Sequence, residues 1–128
     1  MRYLLDTHSL IWFIGGDLQL SVHARQLMDD EGNELFISIG SLWEMAIKFS
    51  IGKLNLAQPF EKLFPEQLDN NSIEILDITV DHLKAVCYLP FHHRDPFDRL
   101  IIAQAQVERL PIISVDTVFD DYGVKREW

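Results

Sequence analysis

Short apolar runs alternate with helix-like segments along this chain, and this alternation is what most constrains its fold. Apolar runs with the length of β-strands lie at 2–5, 35–38, 73–78 and 111–115, with a tail strand expected at Val124. The intervening patterns predict helices at 7–14, 22–31, 41–53, 59–68, 80–89 and 96–110, and a short helical turn at 117–122. Strands that alternate with helices form βαβ units, so we expect an α/β fold with a mostly parallel sheet.

The chain has 128 residues, which fits a single domain over 1–128. Its longest apolar run falls far short of the roughly 20 residues that a membrane-spanning helix needs, so no membrane association is expected. The first strand follows Met1 directly, with no secretory signal, and Cys87 is the single cysteine. Since no intramolecular disulfide can form, we expect a cytoplasmic protein in which Cys87 is a small core residue.

Four acidic residues lie where strands end or helices begin. Asp6 ends the first apolar run and Asp116 ends the run at 111–115, while Glu44 and Asp98 fall in the first turns of predicted helices. In α/β folds these positions lie along one edge of the sheet, where ligands usually bind. Carboxylates gathered there repel each other, and a hard divalent cation is the usual compensation. The sequence therefore predicts a metal site built from these four residues.

Each acid also has a structural explanation. Ser41 and Glu44 have the spacing of a capping box, and Asp6 and Asp116 can cap the helical segments that follow them. Asp95 either caps the helix that opens at the next residue or lines the site. The shared site is favoured because two of the acids directly follow strands, and all four should project from the same side of the sheet.

Oxygen is the only ligand atom that these four acids offer, and oxygen ligands select Mg²⁺ or Mn²⁺ over zinc. Two such ions can activate a water molecule and stabilise the leaving oxygen of a phosphodiester, so hydrolysis of a nucleic-acid backbone is the predicted chemistry. The net charge of −9 by itself argues against nucleic-acid binding, but bound cations would offset the negative charge of the site. No Ser/His/Asp or Cys/His nucleophile pattern and no glycine-rich phosphate loop is present.

Hydroxyl and basic residues near the acids are the candidate substrate contacts. The hydroxyls of Thr7 and Ser9 can hold a water molecule or a phosphate oxygen, or they can cap the helix. Lys48 lies one helical turn after Glu44, so an ion pair between them is the alternative to a phosphate contact. The predicted contacts to backbone phosphates are Lys48, Lys53, Arg94 and Arg99.

Two adjacent histidines, His92 and His93, lie in a predicted loop. Adjacent side chains in an extended loop diverge, and no second His/Cys pair has the spacing of metal ligands. A zinc site is therefore disfavoured, and we expect a loop that faces the substrate.

Four segments, in this order and at this spacing, resemble the PIN-domain nucleases: YLLDTHSLIW, SIGSLWEMAIK, HHRDPFDRLIIAQA and ISVDTVFDDYGV. The likeness runs along nearly the whole chain and is strongest to the VapC-like toxins of bacterial type II toxin–antitoxin pairs. The family's hydroxyl residue after its first acid matches Thr7 or Ser9. Its acidic positions match Asp6, Glu44, Asp98 and Asp116. We expect Asp6 and Asp98 to be the principal metal ligands, with the other two acids completing the site or binding through water.

The resemblance also implies an architecture, an activity and partners. It implies a three-layer α/β/α fold, Mg²⁺- or Mn²⁺-dependent cleavage of RNA, a homodimer, and a cognate antitoxin protein whose C-terminal segment covers the site. The apolar helix around Trp12 and the stripe with Phe60 and Phe64 are the expected contacts with that partner. The chain is therefore predicted to be an endoribonuclease that acts as a growth-inhibiting toxin.

Other functions fit parts of the same pattern. A non-catalytic acidic module that holds a basic protein partner would need no metal. A metal-dependent phosphatase of the haloacid-dehalogenase kind also opens on a strand ending in Asp, but its second Asp is expected at the position of His8. A phospho-acceptor receiver domain needs paired acids after the first strand and a late strand-end lysine, and this sequence has neither.

Overall fold

Five parallel strands form the central sheet of the computed structural model, which describes residues 1–128. They are β1 (Arg2–Leu5), β2 (Glu34–Ser38), β3 (Ile73–Leu76), β4 (Ile112–Ile113) and β5 (Arg126–Glu127). Their order across the sheet is β3-β2-β1-β4-β5, and every pair of neighbours is parallel. This arrangement confirms the α/β fold that the alternating pattern predicts.

Seven helices and one 3₁₀ turn accompany the strands. They are α1 (Thr7–Gly15), α2 (Val22–Asp29), α3 (Ile39–Ser50), α4 (Phe60–Leu63), α5 (Glu66–Asn70), α6 (Val80–Tyr88), α7 (Pro96–Glu108) and the 3₁₀ turn Thr117–Tyr122. The helical segment predicted over 59–68, with Pro59 and Pro65 expected in first turns, contains α4 and α5, which are separated where Phe64 is extended before Pro65. A residue that precedes proline is disfavoured in the helical conformation, which explains the break.

The start of α3 differs from the predicted one. Ser38 is its N-cap, and the Ser38 hydroxyl accepts a hydrogen bond from the N–H of Gly40 at 3.0 Å. Ser41 lies inside the helix, and its buried hydroxyl has no hydrogen-bond partner. The predicted capping box of Ser41 and Glu44 is therefore wrong, and Glu44 lies in the second turn, where no cap is needed.

Helices cover both faces of the sheet, as the continuous apolar character of its strands indicates. Along β1, Leu5 points into one core and Leu4 into the other, and both side chains are fully buried. Residues of α1 to α5 complete the first core, while α6, α7 and the 3₁₀ turn complete the second. The chain therefore has the three-layer α/β/α architecture.

Helix α1 has almost no polar face, and the chain itself covers only part of its surface. Leu10 is fully buried, and the Trp12 ring lies 5.9 Å from the ring of Trp128. The part left open forms the α1 groove, a cavity of about 350 Å³ between this helix and the α4–α5 segment. Its apolar lining consists of Ile11, Ile14, Leu56, Ala57, Leu63 and Phe64.

The structure bears on two expectations, the absence of a membrane-spanning helix and the position of Cys87. None of its helices combines the length and the apolar composition that crossing a bilayer requires. Cys87 is exposed on α6, which contradicts its predicted place in the core. The inward side of α6 carries His82, Ala85 and Val86, and Cys87 lies outside that face.

The loop between α6 and α7 is held by a buried arginine. Arg99 is 7% exposed, and its guanidinium lies 4.1 Å from the centre of the Phe91 ring. Tyr122 adds a second anchor, since its hydroxyl accepts from the N–H of His93 and donates to the carbonyl of Pro90, both at 2.8 Å. The guanidinium donates to four carbonyl oxygens, those of Val86, Leu89, Pro90 and His93.

We expect Arg99→Lys to lower the free energy of unfolding by about 2 kcal/mol or more, because a single ammonium cannot reach four carbonyls and leaves buried acceptors unpaired. Urea denaturation measures the difference. Arg94→Lys is the matched control, since Arg94 is exposed in the same loop. Equal loss of stability in both variants would contradict the anchoring role.

Candidate metal centre

The four predicted acids lie at the carboxyl edge of the sheet, where β1 and β4 end and α7 begins. Asp6 follows β1 and caps α1, and Asp116 follows β4 and caps the 3₁₀ turn. Asp98 lies in the first turn of α7, and Glu44 projects from α3. The carboxyl ends of parallel strands meet at one edge, so residues far apart in sequence come together there.

The pKa of Asp98 shows the effect of the neighbouring acidic charges. Its pKa is raised from 3.8 to about 7, chiefly because burial disfavours the charged carboxylate. The neighbouring carboxylates of Asp95, Glu44 and Asp6 raise the pKa of Asp98 further, while His93 opposes them. The electrostatic field of the site therefore already disfavours one more negative charge.

Asp6 is deeply buried, with 6% of its surface exposed, and Glu44 is buried to the same degree at 5%. Its Oδ1 accepts from the N–H of Ser9 at 2.8 Å, and its Oδ2 accepts from the hydroxyl of Ser114. Burial raises the pKa of Asp6, and these hydrogen bonds act in the opposite direction. Each carboxylate oxygen keeps a second lone pair for another ligand.

Ser114 is a functional residue that the sequence pattern did not reveal. Its hydroxyl donates to Asp6 and accepts from the N–H of Asp116 at 3.0 Å, and the side chain is fully buried. It thereby ties the first acid to the last. Its position two residues before Asp116, at the end of an apolar run, is a signal in the sequence that could have identified it.

Glu44 is held on both of its oxygens. The hydroxyl of Thr7 donates to Oε1 at 2.8 Å, and the ammonium of Lys48 lies 2.6 Å from Oε2. Lys48 keeps 40% of its side chain exposed. Its pKa is raised, first by the hydrogen bond to Glu44, with Asp95 and Asp98 adding to the effect. The ion-pair alternative for Lys48 is thus what the structure shows, and the ammonium also feels the charges of Asp95 and Asp98.

His93 lies inside this cluster. Its Nε2 is 3.0 Å from Oδ2 of Asp98 and 3.4 Å from Oδ2 of Asp116. The three side chains each present a ligand atom, and these atoms lie within 4.8 Å of one another. The side chain of His92 diverges from that of His93, as expected of adjacent loop residues. Its ring packs edge-on against the Tyr122 ring, with the ring centres 5.2 Å apart.

Two of the predicted substrate contacts are contradicted by their surroundings. Arg99 is buried, and its guanidinium is committed to backbone carbonyls, so it cannot reach a phosphate. The Ser9 hydroxyl is fully buried and donates to the carbonyl of Ile113 at 2.9 Å, which fastens α1 to β4. Thr7 is also buried, and its hydroxyl serves Glu44. Arg94 and Lys53 are exposed.

Asp95 takes the role of the cap. Its Oδ1 accepts from the N–H groups of Phe97 and Asp98, at 2.9 and 3.1 Å. Asp95 still contributes to the electrostatic field of the site, since among the neighbouring charges it raises the pKa of Asp98 most.

The donor set suits a hard divalent cation. Carboxylate oxygens dominate it, and such ligands are preferred by Mg²⁺ and Mn²⁺. A cation would also relieve the repulsion that raises the pKa of Asp98. The residues present therefore fit the predicted metal, with Asp98 and Asp116 the more accessible members at 29% and 37% side-chain exposure.

A family model described as PIN domain matches residues 3–125 of this chain. The matched residues include all four acids. No curated protein matches the chain.

Several solved structures share the fold over nearly the whole length. VapBC2 from Rickettsia felis, bound to a promoter DNA fragment, has a TM-score of 0.74 at 18% identity, covering 99% of this chain and 98% of that one. DNA-bound VapBC from Salmonella typhimurium has a TM-score of 0.71 at 18% identity, covering 99% and 97%. VapBC-1 from nontypeable Haemophilus influenzae has a TM-score of 0.70 at 15% identity, covering 99% and 97%. At these identities the likeness shows the fold alone.

We expect Asp98→Asn to stabilise the protein at pH 8 in EDTA by at least about 1 kcal/mol, given that one pKa unit corresponds to about 1.4 kcal/mol. The pKa of Asp98 in the folded state lies above its ordinary value. The folded state therefore binds this proton more tightly, and its stability falls as pH rises from about 3.8 to about 7. Thermal unfolding at pH 4 and pH 8 measures the effect, which should shrink at the lower pH.

The control for this variant is Asp121→Asn, an exposed acid outside the cluster. It should change stability little at either pH. A destabilised Asp98→Asn protein at pH 8 would show that the carboxylates do not repel one another as described.

Proposed function

This chain belongs to the PIN domain family, and on that premise we propose that it is a Mg²⁺- or Mn²⁺-dependent endoribonuclease, the toxin of a toxin–antitoxin pair. The observation that carries the proposal is the convergence of Asp6, Glu44, Asp98 and Asp116 at one edge of the sheet. A divalent cation bound there would supply the positive charge that hydrolysis of a phosphodiester requires.

We assign different roles to the four acids according to their exposure. Asp98 and Asp116 are the accessible carboxylates, and Asp6 lies buried behind them, linked to Asp116 through Ser114. We assign metal binding to these three. Glu44, restrained by Thr7 and Lys48, completes the site and orients a water molecule.

Basic side chains around the cluster are the proposed contacts to the RNA backbone. Lys48 reaches the acids from α3 and keeps much of its surface open, while Arg94 and Lys53 are exposed. Such contacts position the strand without reading its sequence. The chain's net charge of −9 offers no general attraction for RNA, so these few cations and the metal would carry it.

We infer that a cognate antitoxin protein binds the α1 groove and covers the site, and that the toxin acts as a homodimer in the cytoplasm. The apolar lining of the groove supports the antitoxin contact, because exposed apolar clefts of this kind mark protein interfaces. Solved structures that share the fold include VapBC proteins and a toxin–antitoxin complex from Klebsiella pneumoniae, which supports an antitoxin as the partner.

The alternatives found in the sequence have less support. His8, at the position where a phosphatase would carry its second acid, is exposed and packs against Trp12 with ring centres 5.6 Å apart. A non-catalytic acidic module remains the competing function, and Mn²⁺ calorimetry separates it from a nuclease. Stoichiometric binding that is lost in Asp98→Asn supports the nuclease.

We expect Asp6→Asn to abolish metal-dependent RNA cleavage, lowering its rate at least about a hundredfold, the usual order for a group that acts on the transition-state charge. The amide keeps the cap to Ser9 but removes the ligand charge. Cleavage of a labelled RNA, with DNA of the same sequence as a second substrate, measures the loss and the preference. Circular dichroism checks the fold.

Asp121→Asn is the matched control and should cut at the wild-type rate. A folded Asp6→Asn protein that cleaves RNA normally would remove Asp6 from the site. Preferential cleavage of the DNA would overturn the assignment of RNA as substrate.

We expect Ile14→Lys to weaken binding of the antitoxin encoded beside this gene by at least about tenfold, because a charge would be buried in an apolar contact. Ile14 lines the α1 groove, away from the acids. Calorimetry with the purified partner measures the affinity, and the variant should keep its cleavage activity. Leu18→Lys is the control, since Leu18 is 97% exposed and outside the groove. Equal affinities for both variants would place the partner elsewhere.

A further inference from the structure

The imidazole of His93 lies between two carboxylates that are proposed to bind the metal. Its Nε2 is within hydrogen-bond distance of Asp98, at 3.0 Å, and close to Asp116, at 3.4 Å. Its Nδ1 accepts the N–H of Asp95 at 3.2 Å. A ring nitrogen that accepts a hydrogen bond carries no proton, so the proton of the ring is on Nε2, the nitrogen that lies within ion-pair distance of both acids.

The backbone of His93 is fixed independently of its ring. The N–H donates to the hydroxyl of Tyr122 at 2.8 Å, and the carbonyl accepts from Arg99 at 3.3 Å. The side chain is 19% exposed. The ring can therefore leave the acids by side-chain rotation alone, at the cost of the hydrogen bond between Nδ1 and the N–H of Asp95.

We propose that His93 is a positioning residue that takes the place of the cation in the metal-free site and is displaced when a divalent cation binds. This inference rests on the proposed function, since it requires a metal at the acidic cluster. Nε2 lies between Asp98 and Asp116, 3.0 and 3.4 Å from their Oδ2 atoms, and so occupies the space between two carboxylates that repel each other. A cation that binds both oxygens must occupy the same space.

The structure opposes the alternative that His93 is itself a ligand. A ligand nitrogen must present a lone pair to the metal, whereas Nε2 presents a hydrogen while Nδ1 accepts from Asp95. The two roles predict opposite changes in metal affinity. Removing a ligand weakens metal binding, and removing a competing donor strengthens it.

The expected strengthening is large enough to measure. A tenfold change in affinity corresponds to about 1.4 kcal/mol, which is the order expected for one contact between an N–H group and a carboxylate. Removing the imidazole also leaves the two carboxylates uncompensated, which favours the cation further. We therefore expect the Kd for Mn²⁺ to fall about tenfold when the imidazole is removed.

Mn²⁺ titration calorimetry of the full chain, stripped of metal with EDTA and dialysed, tests the proposal. His93→Ala should bind Mn²⁺ about tenfold more tightly than the wild type, and His93→Leu, which retains apolar bulk in the loop, should do the same. His92→Ala is the matched control and should not change the affinity, because His92 packs on Tyr122 and not on the acids. Electron spin echo spectroscopy of Mn²⁺ bound to the wild type should show no coupling to an imidazole nitrogen.

Weaker binding by both His93 variants, or imidazole coupling in the wild type, would make His93 a ligand and overturn the proposal. An unchanged affinity would overturn it too, while leaving the proposed function intact. If neither the wild type nor the variants bound Mn²⁺, the proposed function would fall and this inference with it. Binding by the variants alone would mean that a cation does not displace the wild-type imidazole, and it would overturn the proposal.

Discussion

The mutual repulsion of carboxylates at one edge of a parallel sheet is the interaction on which the rest of this structure depends. Burial and three neighbouring acids raise the pKa of Asp98 to about 7. The deeper acids are stabilised by donors built into the fold, since Ser9 and Ser114 donate to Asp6 and Thr7 and Lys48 donate to Glu44. The fold itself thus holds the acids together, and their mutual repulsion is one that a cation would offset.

Helix capping is compatible with the proposed role in metal binding for the same side chain. Asp116 uses Oδ1 to cap the 3₁₀ turn through the N–H of Val118 and keeps Oδ2 toward His93. Asp6 likewise caps α1 with one oxygen and meets Ser114 with the other. A carboxylate has two oxygens and about four lone pairs, so one oxygen can fix the helix while the other serves the site. The local pattern alone presents these roles as alternatives, and the fold combines them.

The loop before α7 shows how scaffold and site depend on each other. Arg99 is adjacent to Asp98 in the chain, which made it a natural candidate for a phosphate contact. On a helix, neighbours in sequence point about 100° apart, so Asp98 faces the acids while Arg99 faces the loop. There it binds the carbonyl of His93 and helps to hold that residue at the acids. Its contribution to the site is indirect, through the backbone it fixes.

The order of strands and helices, the parallel sheet and the edge at which Asp6, Asp98 and Asp116 meet follow from the sequence alone, because apolar periodicity and strand ends are local properties. Only the tertiary structure decided which polar groups serve the site. It turned Ser9 and Arg99 inward, began α3 at Ile39, and brought His93 and Ser114 to the acids. These outcomes depend on which donors and acceptors meet across elements far apart in the chain. The hydrogen bonds of Ser9 to Ile113 and of Ser114 to Asp6 join residues more than a hundred positions apart, and no local pattern encodes such a pair.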